Sequence, residues 1–181
     1  MTSLFKLSAL GILSSFIIVG CATTTSTQTP EEIITINAVS SQGIGEPLGT
    51  ISLQDSQNGL VIRTNLSQLP AGPHGFHIHE KGSCEAAEKE GKMVAALAAG
   101  GHFNPHKVGN HGTPTTGHLG DLPLLNVAND GTAKVTLIAP RLTIAEVKGL
   151  AIMVHAGGDN YSDDPKPLGG GGDRIACGVI K

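Results

Sequence analysis

Tryptophan is absent from the 181 residues, and one tyrosine and four phenylalanines are the only aromatics. A core must therefore come from aliphatic side chains. Cysteine is scarce as well, at three, too few for a cysteine-only zinc site. Positive charge is not in excess: 12 Lys and Arg stand against 15 Asp and Glu, for a net charge of −3. That balance excludes a nucleic-acid binder by bulk charge. No solenoid-type repeat occurs. The tetraglycine run at 169–172 lacks the lysine and hydroxyl residue of a phosphate-binding loop, so it reads as loop.

The first twenty residues carry one base, Lys6, then the apolar stretch "LSALGILSSFIIVG" ending in small residues. This is the pattern of a secretory signal peptide over 1–20. The apolar stretch is short for a membrane span, and the polar "TTTSTQTPEE" that follows has no basic stop-transfer flank. "IVGC" resembles the lipobox of bacterial lipoproteins, which makes Cys21 the expected lipidation site and 21–32 a polar tether. Two acyl chains supply the stable membrane anchor that one chain does not. The expected location is the periplasm or cell envelope. Lipidation of Cys21 also leaves an even number of thiols in an oxidising compartment. Cys84 and Cys177 are then candidates for one disulfide, with two buried free thiols as the alternative. Eleven bases against fifteen acids leave residues 21–181 at −4, so an anionic substrate would need a local positive site.

From residue 33 to 181 the chain reads as one all-β domain. "IITINAV", "LGTISLQ", "GLVIRTNLS", "GFHIHE", "TAKVTLIA" and "LAIMVHA" are short runs rich in β-branched residues. "SQNG", "LPAGP" and "ANDG" punctuate them as turns. Only "AAEKEGKMVAALAAG" allows a short helix, with an ordered loop as the other reading. Two long segments, about 81–122 and 157–173, lack strand character, and such loops need something to order them.

"GFHIHE" places His77 and His79 two apart in a strand, so both point to one face. The first long loop adds His102, His111, His118 and Asp121, and His155 ends "LAIMVHA". Each alone reads as an ordinary surface or hydrogen-bonded histidine. Together they point to a metal site of more than one ion. Imidazole suits copper and zinc, whereas calcium and magnesium require oxygen.

The stretches "GFHIHEKGSC", "GGHFNP", "GHLGDLP", "MVHAGGDNYSD", "KPLGGGG" and "RIACGVIK" resemble those of bacterial periplasmic copper/zinc superoxide dismutases, over essentially 33–181. The resemblance implies an eight-stranded Greek-key β-barrel or flattened sandwich with two long metal-ordering loops, a family that is itself a standard example of sandwich architecture. It implies copper on His77, His79, His102 and His155, and zinc on His102, His111, His118 and Asp121, with His102 bridging. Asp159 then links a copper histidine to a zinc histidine, Cys84 and Cys177 form the disulfide, and Arg174 stands beside the open copper position. The implied reaction is disproportionation of superoxide to dioxygen and hydrogen peroxide by copper redox, with zinc structural. Lys89 and Lys92 are candidates for a positive funnel or for plain solvated charges. His74 and His106 match no ligand position. Homodimer and monomer both remain open. A non-catalytic metal store and a zinc hydrolase are the rival readings. A store predicts loss of Arg174 or His102, and a hydrolase needs a general base that the ligand segments do not offer.

Overall fold

The computed structural model describes residues 30–181; the signal peptide expected over 1–20 and Cys21 lie outside the described residues. Strands β1 (Glu31–Ser40), β2 (Gly43–Ser56) and β3 (Gly59–Leu66) form a meander. They are followed by β4 (Gly72–His74), β5 (Phe76–His79), the ribbon β6 (Ala87–Lys89) and β7 (Lys92–Val94), then β8 (Leu125–Val127) and β9 (Thr136–Ala139). The short helix α1 (Ile144–Val147) leads to β10 (Ala151–His155) and β11 (Arg174–Val179). Seven strands pair antiparallel in the order β5-β10-β11-β1-β2-β3-β9, and β4 pairs with β8. Counting β4 and β5 as one strand interrupted at Gly75, eight strands build the curled sheet. Its two end strands, β8 and β9, follow one another in the chain, so the sheet curls back on itself. The β3–β4 and β9–β10 connections cross the ends of the barrel in Greek-key fashion.

Alternation sets the two faces. In β3 every second residue is buried, and Leu60, Ile62 and Leu66 join Ile34, Ile36, Ile51 and Leu53 inside the barrel. Among the described residues, Phe76 is the one phenylalanine or tyrosine in the fully buried set, and aliphatic side chains fill the rest of the core. The register of β5 against β10 pairs Phe76 with Val154 and Ile78 with Ile152, all in this core. His77 pairs with Met153 and His79 with Ala151, so the histidines occupy the outer wall. Yet all four residues of β5 are buried, because the two long loops cover that wall.

The first loop is laid directly along the free edge of β5. Phe103 donates its N–H to Ile78 O at 2.8 Å, Ile78 donates to Gly120 O at 2.9 Å, and Leu122 donates to Phe76 O at 3.2 Å. These bonds bring His102 opposite His79 and Asp121 opposite His77. Gly120 is required there, since a Cβ would collide with Ile78 O. The Cys84–Cys177 disulfide ties the same loop to β11 across 93 residues. In the chain-entropy account a closure of that length stabilises by about 4–5 kcal/mol. Around it lies a second small cluster of Val39, Ala96, Ala99, Ala151 and Met153.

The stretch that allowed a helix is a β-ribbon instead, with one 3-10 turn at Leu97–Ala99. Glu90 and Gly91 both have positive φ, the hairpin turn that suits twisted strands, and they break any helical run. Lys89 and Lys92 face each other across that turn, and both are exposed.

Candidate metal centre

Three elements meet on the outer wall: β5 supplies His77 and His79, the end of β10 supplies His155, and the loop along β5 supplies His102, His111, His118 and Asp121. All seven side chains are buried or nearly so. The donor atoms of His77, His79, His102 and His155 lie within 4.8 Å of one another.

Hydrogen bonds decide which ring nitrogen each histidine presents. His79 Nδ1 donates to Gly100 O at 3.0 Å, and His155 Nδ1 donates to Gly172 O at 3.1 Å. With those protons committed, both Nε2 atoms carry lone pairs, and they face each other at 3.3 Å. Two lone pairs at that distance repel unless a cation lies between them. Asp159 accepts from His77 Nε2 and from His111 Nε2, each at 2.8 Å. That leaves His77 Nδ1 buried and without a hydrogen-bond partner, and the same is true of His102 Nε2 and His118 Nδ1, while His111 Nδ1 has the Asp121 carboxylate beside it. Three orphaned buried nitrogens are costly unless they bind something. They fit metal ions.

A second convergence lies on the far side of His102. His102 Nδ1 is 2.9 Å from Asp121 Oδ1, and His111 Nδ1 is 3.1 Å from Asp121 Oδ2. His118 Nδ1 stands further out, 3.6 Å from Asp121 Oδ1. On this side one donor atom each from His77, His102, His111 and Asp121 lie within 4.8 Å of one another, and His77 stacks on His102 with ring centroids 3.9 Å apart. His77 Nδ1, however, also converges with His79 and His155. Among the described residues, His118 is the other orphaned imidazole left for the second side.

The two groups differ in charge. Burial lowers His77 to about 3, against the pull of Asp159, and lowers His155 to about 4. Burial also depresses His79 strongly and His102 less so. These rings are neutral and ready to ligate. His111 is the opposite case: burial alone would lower it, but Asp121 and Asp159 on its two sides outweigh burial and raise it to about 9. Burial would raise both carboxylates, yet the histidine bonds hold Asp121 and Asp159 well below the usual carboxylate range.

Arg174, at the start of β11 and opposite His155, donates to Ala96 O and Gly100 O, each at 2.6 Å. The carbonyl of Gly100 thus serves both His79 and Arg174. His74 lies outside the cluster but is not idle: its ring sits between Pro70 O at 2.8 Å and His155 O at 2.7 Å, clipping the backbone of His155. His106 makes no such contact and is exposed.

Comparison with known proteins agrees with this geometry. The copper/zinc superoxide dismutase family model matches residues 48–180. The chain belongs to the copper/zinc superoxide dismutases. It is 52% identical over 169 residues to the copper/zinc superoxide dismutase of Escherichia coli K12, covering 92% of this chain and 98% of that protein. Among solved structures, the Brucella abortus enzyme superposes with a TM-score of 0.82 at 46% identity, over 84% of this chain and all of that one. A monomeric enzyme from Salmonella enterica gives 0.76 at 53% identity, with the same coverage. The reaction of this superoxide dismutase is the disproportionation of superoxide to dioxygen and hydrogen peroxide, with copper and zinc as cofactors.

Sequence reasoning did not reach the carbonyls of Gly100 and Gly172, which fix two of the rings, nor the clip made by His74. Backbone oxygens leave no mark in a sequence. His74 was visible, two residues before the strand core, but spacing gave it no partner.

Proposed function

We propose that copper is held by His77 Nδ1 and by Nε2 of His79, His102 and His155, and that zinc is held by Nδ1 of His102, His111 and His118 with an Asp121 oxygen. The observation that carries this reading is His102, whose two nitrogens face two different donor groups. Copper, when bound, supplies the one-electron chemistry that oxidises one superoxide and reduces the next. The residues of the chain do the remainder. His102 Nε2 would hold copper, and while free of the metal the same nitrogen could carry a proton for the peroxide product. Asp159 fixes the tautomers of His77 and His111 together, as outer partners of metal ligands do. Arg174 offers the anion an always-charged fork held rigid by two carbonyls. Zinc is structural and orders the loop.

The pKa contrast gives a direct test. At pH 7 metal-free His111 keeps a proton that an incoming zinc ion must displace, whereas His77 and His155 are neutral and give up none, and His102 loses its N–H only when both metals are bound, so the test adds zinc to copper-free protein. Zinc uptake should therefore release a proton at pH 7, and zinc affinity should fall as pH drops below about 9. Because the folded value of His111 is raised, its contribution to the stability of the metal-free protein is fully present below the ordinary 6.5 and disappears as pH rises through about 9. Titration calorimetry in buffers of different ionisation enthalpy measures the proton. A zinc heat independent of the buffer would remove His111 from the zinc site.

The leader and "IVGC" support export to the periplasm and anchoring through Cys21, where the enzyme would protect the cell envelope from superoxide. Fractionation checks this: wild type should sediment with membranes, and Cys21→Ser should be soluble. Identical partitioning of a Cys21→Ser chain processed to the same species rules out the anchor.

A further inference from the structure

Arg141 belongs to neither donor group, and among the described residues its charge meets no carboxylate within ion-pair distance. It spends its hydrogen bonds on backbone instead. Nε donates to Pro114 O at 2.7 Å, and one terminal nitrogen donates to Gly117 O at 3.0 Å and His118 O at 2.8 Å. We propose that Arg141 is a positioning residue for the zinc site, a guanidinium clamp that holds the 112–121 segment in ligand geometry from the barrel wall. The proposal rests on the zinc reading above.

Both ends of the clamp favour this. On the barrel side the backbone around Arg141 is fixed. Leu142 is buried and its N–H bonds to Ala139 O, and α1 begins at once with Thr143 and Glu146 capping each other. Asp55 of β2 accepts the Ile144 N–H at 2.8 Å. The guanidinium therefore projects from a rigid base. On the loop side Gly112–His118 is neither strand nor helix but a turn in which Thr116 and Gly117 donate to Thr113 O.

The contacted atoms are those that matter to the site. His118 O belongs to a candidate ligand. Gly117 packs so closely that a Cβ would collide with Asp121 Oδ2 and Gly112 N, so a shift at Gly117 is a shift at Asp121. That same carboxylate oxygen accepts the N–H groups of Gly112 at 3.0 Å and His118 at 2.8 Å. Arg141 and Asp121 thus grip one short loop from opposite sides, through carbonyls and through N–H groups respectively. Three carbonyls spread over five residues need a planar fork with several fixed donors; a lysine ammonium is a point charge and cannot span them.

The test uses the metal-loaded protein. Zinc is withdrawn by a chromophoric chelator, copper is followed by its visible band, and amide exchange is read over residues 112–121. Arg141→Met should weaken zinc by about 10- to 100-fold, the range for outer partners of metal ligands, while copper stays bound. Its Gly112 and His118 amides should exchange faster than wild type. Arg141→Lys should recover little of either. Wild-type zinc retention and exchange in Arg141→Met, or full recovery in Arg141→Lys, would overturn the clamp. Asp121→Ala provides the separate check. If it holds zinc as wild type does, the zinc reading fails, while the exchange data still decide the role of Arg141.

Discussion

Replacing His155 with alanine should abolish copper retention and lower dismutation by more than about a hundredfold, since loss of even an outer partner costs a metal site about 10- to 100-fold. The geometry explains the size. His155 Nε2 and His79 Nε2 face each other at 3.3 Å with their other nitrogens committed to carbonyls. Removing one ring takes away one of the four donors grouped within 4.8 Å of one another. Zinc should remain, because His155 belongs only to the group on the β5 side of His102. Asp121→Ala should do the reverse. It deletes a donor beside His102 and His111 and frees the N–H groups of Gly112 and His118. Zinc should be lost and the loop loosened, with copper largely kept. Elemental analysis of both purified variants, paired with superoxide-decay rates, checks this. Equal loss of both metals from both variants would contradict two separate sites.

Arg174→Ala should lower the rate at low salt by about tenfold with both metals in place. Residues 21–181 are net negative and superoxide is an anion, so capture depends on local positive potential. Focusing of this kind raises on-rates by about 10- to 1000-fold, and superoxide dismutase is itself a standard case of it. Arg174 is half-buried and firmly held, so its charge is less screened than that of a free surface arginine. The wild-type rate should fall as salt rises and the screening length shortens, and the variant should show a flatter dependence. An Arg174→Ala protein with wild-type rate and salt slope would leave Arg174 without a guiding role. Lys89 and Lys92 are a weaker source, being exposed and opposed across one turn.

Much of this was legible in the sequence because its signals are periodic. Alternation in "LVIRTNL" and "FHIH" marks two-faced strands, and both are strands with buried inner faces. β4 and β8 gave no such signal: each is three residues long, and β4 contains Pro73. The 86–100 stretch looked helical in composition, but a two-residue turn with positive φ at Glu90 and Gly91 outweighed propensity. At the site, residue types and rough grouping could be read from spacing and family likeness. Which nitrogen each ring presents could not, because carbonyls from Gly100 and Gly172 and the distant Asp159 decide it. Arg141 was silent for the same reason: its partners are backbone oxygens about 25 residues away.

The hydrogen bonds from residues 103, 120 and 122 to β5 have a consequence for solubility. Without them, Phe76–His79 would be an open sheet margin, a short apolar template with bare N–H and C=O groups on which another chain could stack. The histidine-bearing loop closes that margin. A change that detaches it from β5 therefore does two kinds of damage at once, scattering the donors and exposing an adhesive strand. The same peptide groups that set out the catalytic centre also keep one molecule from sticking to the next.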